Sequence, residues 1–265
     1  MNRTTLIVAC AALALPIEVH ARGADGEFEQ RRSSHFVLHE DVALDDVNGL
    51  HGSRHFEQQV LAELERAYDV LGERLALRPQ RRIDVVIYDP ARFDATFAGL
   101  FRFPAAGFYH GVIRVRGDTQ LTVALSRVLH HELVHAALDA AAPTLWLPGW
   151  VNEGVAEWFE ARTDGQRELG PRERAVLESL ARQGGLASLS ALATPSFAGL
   201  DTRDAQVAYL QSYALVDYLA RLEGERSLAS FLAELIQSRN LDRALHRVYR
   251  LDAAKLEARF ARDIS

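Results

Sequence analysis

Two histidines four residues apart, with a glutamate directly after the first, constrain this chain more than any other feature. They are His131, Glu132 and His135 in the stretch His130-His131-Glu132-Leu133-Val134-His135. On an α-helix that spacing puts both imidazoles within about 40° of one face, about one turn apart. Rings held this way can both reach one zinc ion at about 2.0–2.1 Å. Glu132 then sits where it can take a proton from a metal-activated water. The preceding residues support a helix: Leu121, Leu125, Val128 and Leu129 recur at helical spacing, and Asp118 or Thr119 can act as N-cap. Histidines at this spacing also occur in ordinary helix cores, so a second motif has to decide.

That motif is Trp150-Val151-Asn152-Glu153-Gly154-Val155-Ala156-Glu157-Trp158-Phe159-Glu160. A catalytic zinc needs a third protein ligand and an open fourth position. Glu153 lies 18 residues after His135, and the two prolines and the glycine between them allow one helix to end and another to begin. Glu153 and Glu157 are one turn apart on the second helix, so both can face the first. Glu153 is expected to bind the metal. Glu157 is expected to accept the second ring N–H of a ligating histidine and so fix its tautomer.

His131-Glu132-Leu133-Val134-His135 followed by the Asn152-Glu153-Gly154 motif resembles the gluzincin metallopeptidases. It is most similar to the small peptidase MA-like domains, and more distantly to thermolysin and the zinc aminopeptidases. A metzincin would place histidine six residues after His135, where this chain has Ala141. The resemblance implies one zinc held by His131, His135 and Glu153, with Glu132 as general base in peptide-bond hydrolysis. Thermolysin relatives often carry aspartate at the position of Glu157. Gluzincins often take an oxyanion donor from a downstream tyrosine or histidine. Tyr213 is the candidate for it here, and Tyr209, one turn earlier, is the reserve. The resemblance also implies that residues 112–116 form an edge strand that pairs with an extended peptide substrate.

Composition sets the frame. The chain has 265 residues, 48% hydrophobic and 25% charged, enough for one substantial core. A net charge of −6 gives no basic surface for nucleic acid. Residues 1–21 read as a signal peptide: Arg3 supplies the positive start, residues 6–15 the apolar run, and Val19-His20-Ala21 a small-residue cleavage site. The apolar run is shorter than the roughly 20 residues that span a bilayer, so stable membrane insertion after cleavage is not expected. Cys10 is the only cysteine and lies in this segment, which leaves a cleaved chain without disulfides or a thiol nucleophile. The expected location is the periplasm or the medium of a bacterium.

Residues 22–33 read as a flexible leader, and 34–265 as a single α+β domain of zincin type. Its first part, 34–117, combines a small mixed sheet with a long helix from residue 53 to 77, where Phe56, Val60, Leu64, Ala67, Leu71 and Leu75 keep the helical period. Residues 83–88, β-branched and mostly apolar, make the best strand. The second part, 118–265, reads as mostly helical, with helices near 206–222, 228–238, 241–249 and 253–264. The expected partner is a peptide or protein substrate. A different class of function competes: an envelope binding or assembly factor that keeps the fold with little turnover. An aminopeptidase would need an acidic anchor for the free amine. Residues 107–116 carry no Asp or Glu, so an endopeptidase is favoured over an aminopeptidase.

Overall fold

The sheet is built from short stretches whose residues alternate between two packed faces. The computed structural model describes residues 29–42, 44 and 52–265. The signal-peptide segment 1–21, Cys10 and most of the leader lie outside them. Strands β1 (Glu29–Arg32), β2 (Phe36–Glu40), β3 (Ile83–Tyr88), β4 (Gly107–Tyr109) and β5 (Ile113–Arg116) form one mixed sheet in the order β1-β2-β3-β5-β4. The pairs β2–β3 and β3–β5 are parallel, while β1 and β4 are antiparallel to their neighbours. The leader expectation is corrected at its end. Residues 29–32 pair with β2, Arg31 opposite Leu38, and Arg31 Nε also holds the buried Glu57 at 2.5 Å.

The edge strand is also corrected. Residues 113–116 lie inside the sheet between β3 and β4, and β4 forms the outer edge. The turn at 110–112 folds β4 back antiparallel on β5, so β5 has both its neighbours.

Helix α1 (Gly52–Leu75) connects β2 to β3 and buries the predicted stripe from Phe56 to Leu75. It shares one core with Phe36, Leu38, Val85, Ile87, Ile113 and Val115 of the sheet. The opposite sheet face, with Val86, Tyr88 and Phe108, is covered by Phe93 of α2 (Pro90–Thr96) and by Phe97 just after it. Helix α3 (Val123–Ala141) carries the first motif. It starts later than expected, because Thr122 rather than Asp118 or Thr119 caps it, its hydroxyl accepting from Leu125 N–H at 3.2 Å. From Val128 to Leu138 every residue of α3 is buried, as befits a helix enclosed on all sides.

Helix α4 (Gly149–Thr163) carries the second motif, and α5 (Pro171–Arg182) follows it. Helices α6 (Thr202–Glu223), α7 (Arg226–Ser238), α8 (Leu241–Tyr249) and α9 (Ala253–Ile264) complete the helical part, so the described residues form the expected α+β arrangement of a small mixed sheet followed by helices. Helix α6 is the support for α4. A Cβ on Gly154 would lie 2.4 Å from Ser212 O, so the two backbones touch where only hydrogen fits. Below this contact the buried Arg162 donates to Asp217 at 2.7 Å and to Glu225 at 2.8 Å, and its guanidinium lies 4.9 Å from the Trp158 ring centre.

Gly154→Ala should therefore push α6 off α4. The expected loss is about 1–3 kcal/mol in chemical denaturation, despite the better helix propensity of alanine. A variant as stable as the parent would mean that the backbone contact is slack.

Candidate metal centre

The two motif helices meet so that later positions on α3 face earlier positions on α4. Arg127 meets Glu160, His131 meets Glu153, and His135 meets Asn152. This crossing brings the predicted ligand set together. His131 Nε2 and His135 Nε2 each lie 3.4 Å from Glu153 Oε2. Ligand atoms at about 2.1 Å from a tetrahedral zinc are about 3.4 Å apart, so the spacing matches. The three side chains are between 0% and 2% exposed.

The polar atoms of this cluster also fit a cation. Both Glu132 oxygens, Glu153 Oε1 and His135 Nε2 are buried without a hydrogen-bond partner. Such groups cost free energy when removed from water and left unpaired. A dication between the histidines and Glu153 would supply the missing charge. Burial pushes the Glu132 carboxyl well above the ordinary range, and the Glu153 and Glu160 charges add to that. Burial would also raise Glu153, but the His135 and His131 rings overcome it and hold the group down at about 2. In His131, burial acts to lower the pKa and the Glu153 and Glu160 carboxylates override it, so the net shift is well upward.

The other ring nitrogen of His135 is held as well. His135 Nδ1 lies 3.2 Å from Asn152 Oδ1, a contact that the sequence reading missed although Asn152 adjoins Glu153. An N–H donated there leaves Nε2 for the metal side. At His131, Nδ1 makes no hydrogen bond, and the expected Glu157 is the farther of two carboxylates beside it. Glu160 Oε2 lies 3.5 Å from Nδ1, whereas Glu157 lies at 3.9 Å and is partly exposed. Arg127 Nε donates to the other Glu160 oxygen at 2.5 Å. Against the penalty of burial, His131 and Arg127 lower the Glu160 pKa, whereas burial and the Glu160 charge raise that of Glu157.

Tyr213 is not brought to this cluster. Its hydroxyl accepts from Gln166 Nε2 at 3.4 Å in the loop after α4, and the charges around it belong to Asp217, Arg162 and Glu173. Tyr209 packs edge-on against Phe103 and Phe197. His130 lies outside the triad, as expected, and bonds Glu63 and Thr163, both at 2.8 Å.

A cleft of about 420 Å³ opens beside His135 and Asn152 and reaches Tyr109 of β4. Its one carboxylate is Asp139, on α3 one turn beyond His135, where its Oδ2 accepts from the Tyr109 hydroxyl at 2.8 Å. Asp139 comes from the facing helix and so lies outside residues 107–116.

The family model of the Peptidase MA superfamily matches residues 70–265. The chain belongs to the Peptidase MA superfamily. This agrees with the gluzincin-like reading of the two motifs, and the matched span takes in both motif helices and everything after them. No curated protein sequence matches this superfamily member. Its fold is similar to a mutant M1 zinc metallopeptidase from Deinococcus radiodurans, crystallised with a Tyr-Ser-Ala substrate, at 17% identity and a TM-score of 0.49. That match covers 89% of this chain and 52% of the other, so the chain spans about half the length of the structure it resembles.

Two outcomes test the surroundings of the triad. Glu160→Gln should weaken zinc affinity about 10–100-fold in competition with a chelator; unchanged affinity would remove Glu160 from the support of His131. Tyr213 tests the neighbouring packing. Burial, with the Asp217 charge, pushes its hydroxyl up to about 12 from an unfolded value near 10. Between those values the unfolded chain has lost a proton that the folded chain keeps, so stability falls as pH rises through pH 10–12. Tyr213→Phe should remove up to about 2–3 kcal/mol of that alkaline loss in denaturation measured at pH 8 and pH 12. An unaltered pH dependence would mean that the hydroxyl is solvated.

Proposed function

We propose that this chain is a secreted or periplasmic zinc peptidase, with His131, His135 and Glu153 as metal ligands and Glu132 as the general base. One observation carries the reading: both Nε2 atoms face a single Glu153 oxygen at 3.4 Å, beside a buried carboxyl with no hydrogen-bond partner. Zinc, when bound, supplies Lewis acidity and brings the pKa of water from about 15.7 towards 7. The remaining work belongs to side chains of this protein. Glu132, with neither oxygen hydrogen-bonded, takes the proton from the water and returns it to the leaving amine. Asn152 and Glu160, the latter gripped by Arg127, turn the two rings so that Nε2 faces Glu153. The outer edge of β4 offers main-chain groups to an extended peptide, in the manner of added strands elsewhere. Tyr213 we assign to packing rather than to the oxyanion.

We read the enzyme as an endopeptidase. Strand β4 has no acidic side chain, and the single carboxylate of the cleft is engaged by Tyr109. We favour this over an assembly factor with little turnover, because the residues proposed as ligands, base and supports lie at one helix crossing.

Purified protein should carry close to one zinc per chain by elemental analysis, and should cleave peptides blocked at both ends. Glu132→Gln should keep the metal and lose about 100-fold or more of the hydrolysis. A fully active Glu132→Gln protein would remove Glu132 from the role of base, and a protein that takes up no zinc would end the proposal.

A further inference from the structure

The loop from α3 to α4 joins the two helices of the metal centre, and it leaves Trp146 73% exposed. No other large apolar side chain among the described residues is as exposed. The loop is fixed in several ways. Leu145 N–H donates to Ala142 O at 3.0 Å, Pro143 and Pro148 restrict the backbone, and the Thr144 hydroxyl accepts from Arg239 at 2.8 Å. The backbone that carries Trp146 is thus held, and Trp146 lines the cleft together with His135 and Asn152. Leu138, Leu147 and Pro195 continue the apolar wall. Among the described residues no lysine or arginine lines the cleft, and Asp139 is bonded to Tyr109.

Resting on the peptidase reading above, we infer that this cleft is a side-chain subsite and that the preferred substrates carry a bulky apolar residue, aromatic above all, next to the bond that is cut. An extended peptide on the edge of β4 passes Tyr109, so it runs along the cleft. Its side chains alternate, and one of them points at the wall that ends in Trp146. An indole left in water gains most from a flat apolar partner, which stacks on it and displaces that water. A methyl group is too small to cover it, and a cationic side chain gives up hydration to lie on an apolar wall.

The test uses zinc-loaded protein and end-blocked alanine hexapeptides with one Phe, Leu or Arg guest, or none, with products located by mass spectrometry. Cleavage should fall beside Phe or Leu, with kcat/KM at least about tenfold above the Ala and Arg peptides. Trp146→Ala should shrink the Phe-to-Ala ratio about tenfold or more, and Trp146→Phe should restore most of it. Val176→Ala, an exposed apolar position on α5, should keep the ratio. Binding is read separately in the Glu132→Gln protein. The Phe peptide should shift its tryptophan fluorescence, and the added Trp146→Phe change should abolish the shift. Cleavage without guest preference, or a ratio that ignores Trp146→Ala, would overturn the subsite and leave the peptidase reading standing. A fluorescence shift at Trp146 without any cleavage by the parent would do the reverse, and the absence of both would overturn the two together.

Discussion

Burying charge between α3 and α4 is the constraint from which most of the structure follows. Glu132, Glu153 and His131 have no measurable exposure, and Glu160 and His135 are almost as enclosed. Ions removed from water are tolerated only when paired and hydrogen-bonded. The protein meets that demand by crossing the helices so that each charge finds an opposite: Arg127 to Glu160, Glu160 to His131, His131 and His135 to Glu153. Glu132 alone among them has no hydrogen-bond partner on either oxygen, which is the property expected of a group that works on something brought from outside.

The remainder of the fold holds this crossing in register. The sheet and α1 form the floor under α3 through one continuous core. Helix α6 backs α4 through the Gly154–Ser212 contact, and the buried Arg162–Asp217 pair locks the lower end of the same two helices. A core of this kind leaves little slack, so the two motifs are placed by the rigidity of what surrounds them rather than by local loops.

Much of this was legible in the residues. The H-E-x-x-H pairing and the stripe from Phe56 to Leu75 depend only on helical periodicity, which sequence shows directly. The tail helices were also visible, because apolar spacing marks them. What remained hidden depends on how elements meet. Glu157 and Glu160 sit one and two turns beyond Glu153, and periodicity allows either to face His131. The crossing of α3 over α4 selects Glu160. Tyr213 lies on a correctly expected helix, but its hydroxyl meets Gln166 in the loop after α4. The interior place of β5 follows from strand order, which no local pattern encodes. Asp139 escaped notice because its cleft is walled by segments distant in sequence.

The ring of His131, flanked by Glu153 and Glu160, has one further consequence. The two carboxylates raise its pKa well above the ordinary histidine range against the pull of burial, so they favour a proton on the ring. A metal ligand must be a neutral imidazole, so an arriving ion has to expel that hydrogen. On the proposed reading, metal ion and hydrogen ion thus contend for one ring, and the carboxylates that would seat the first also favour the second.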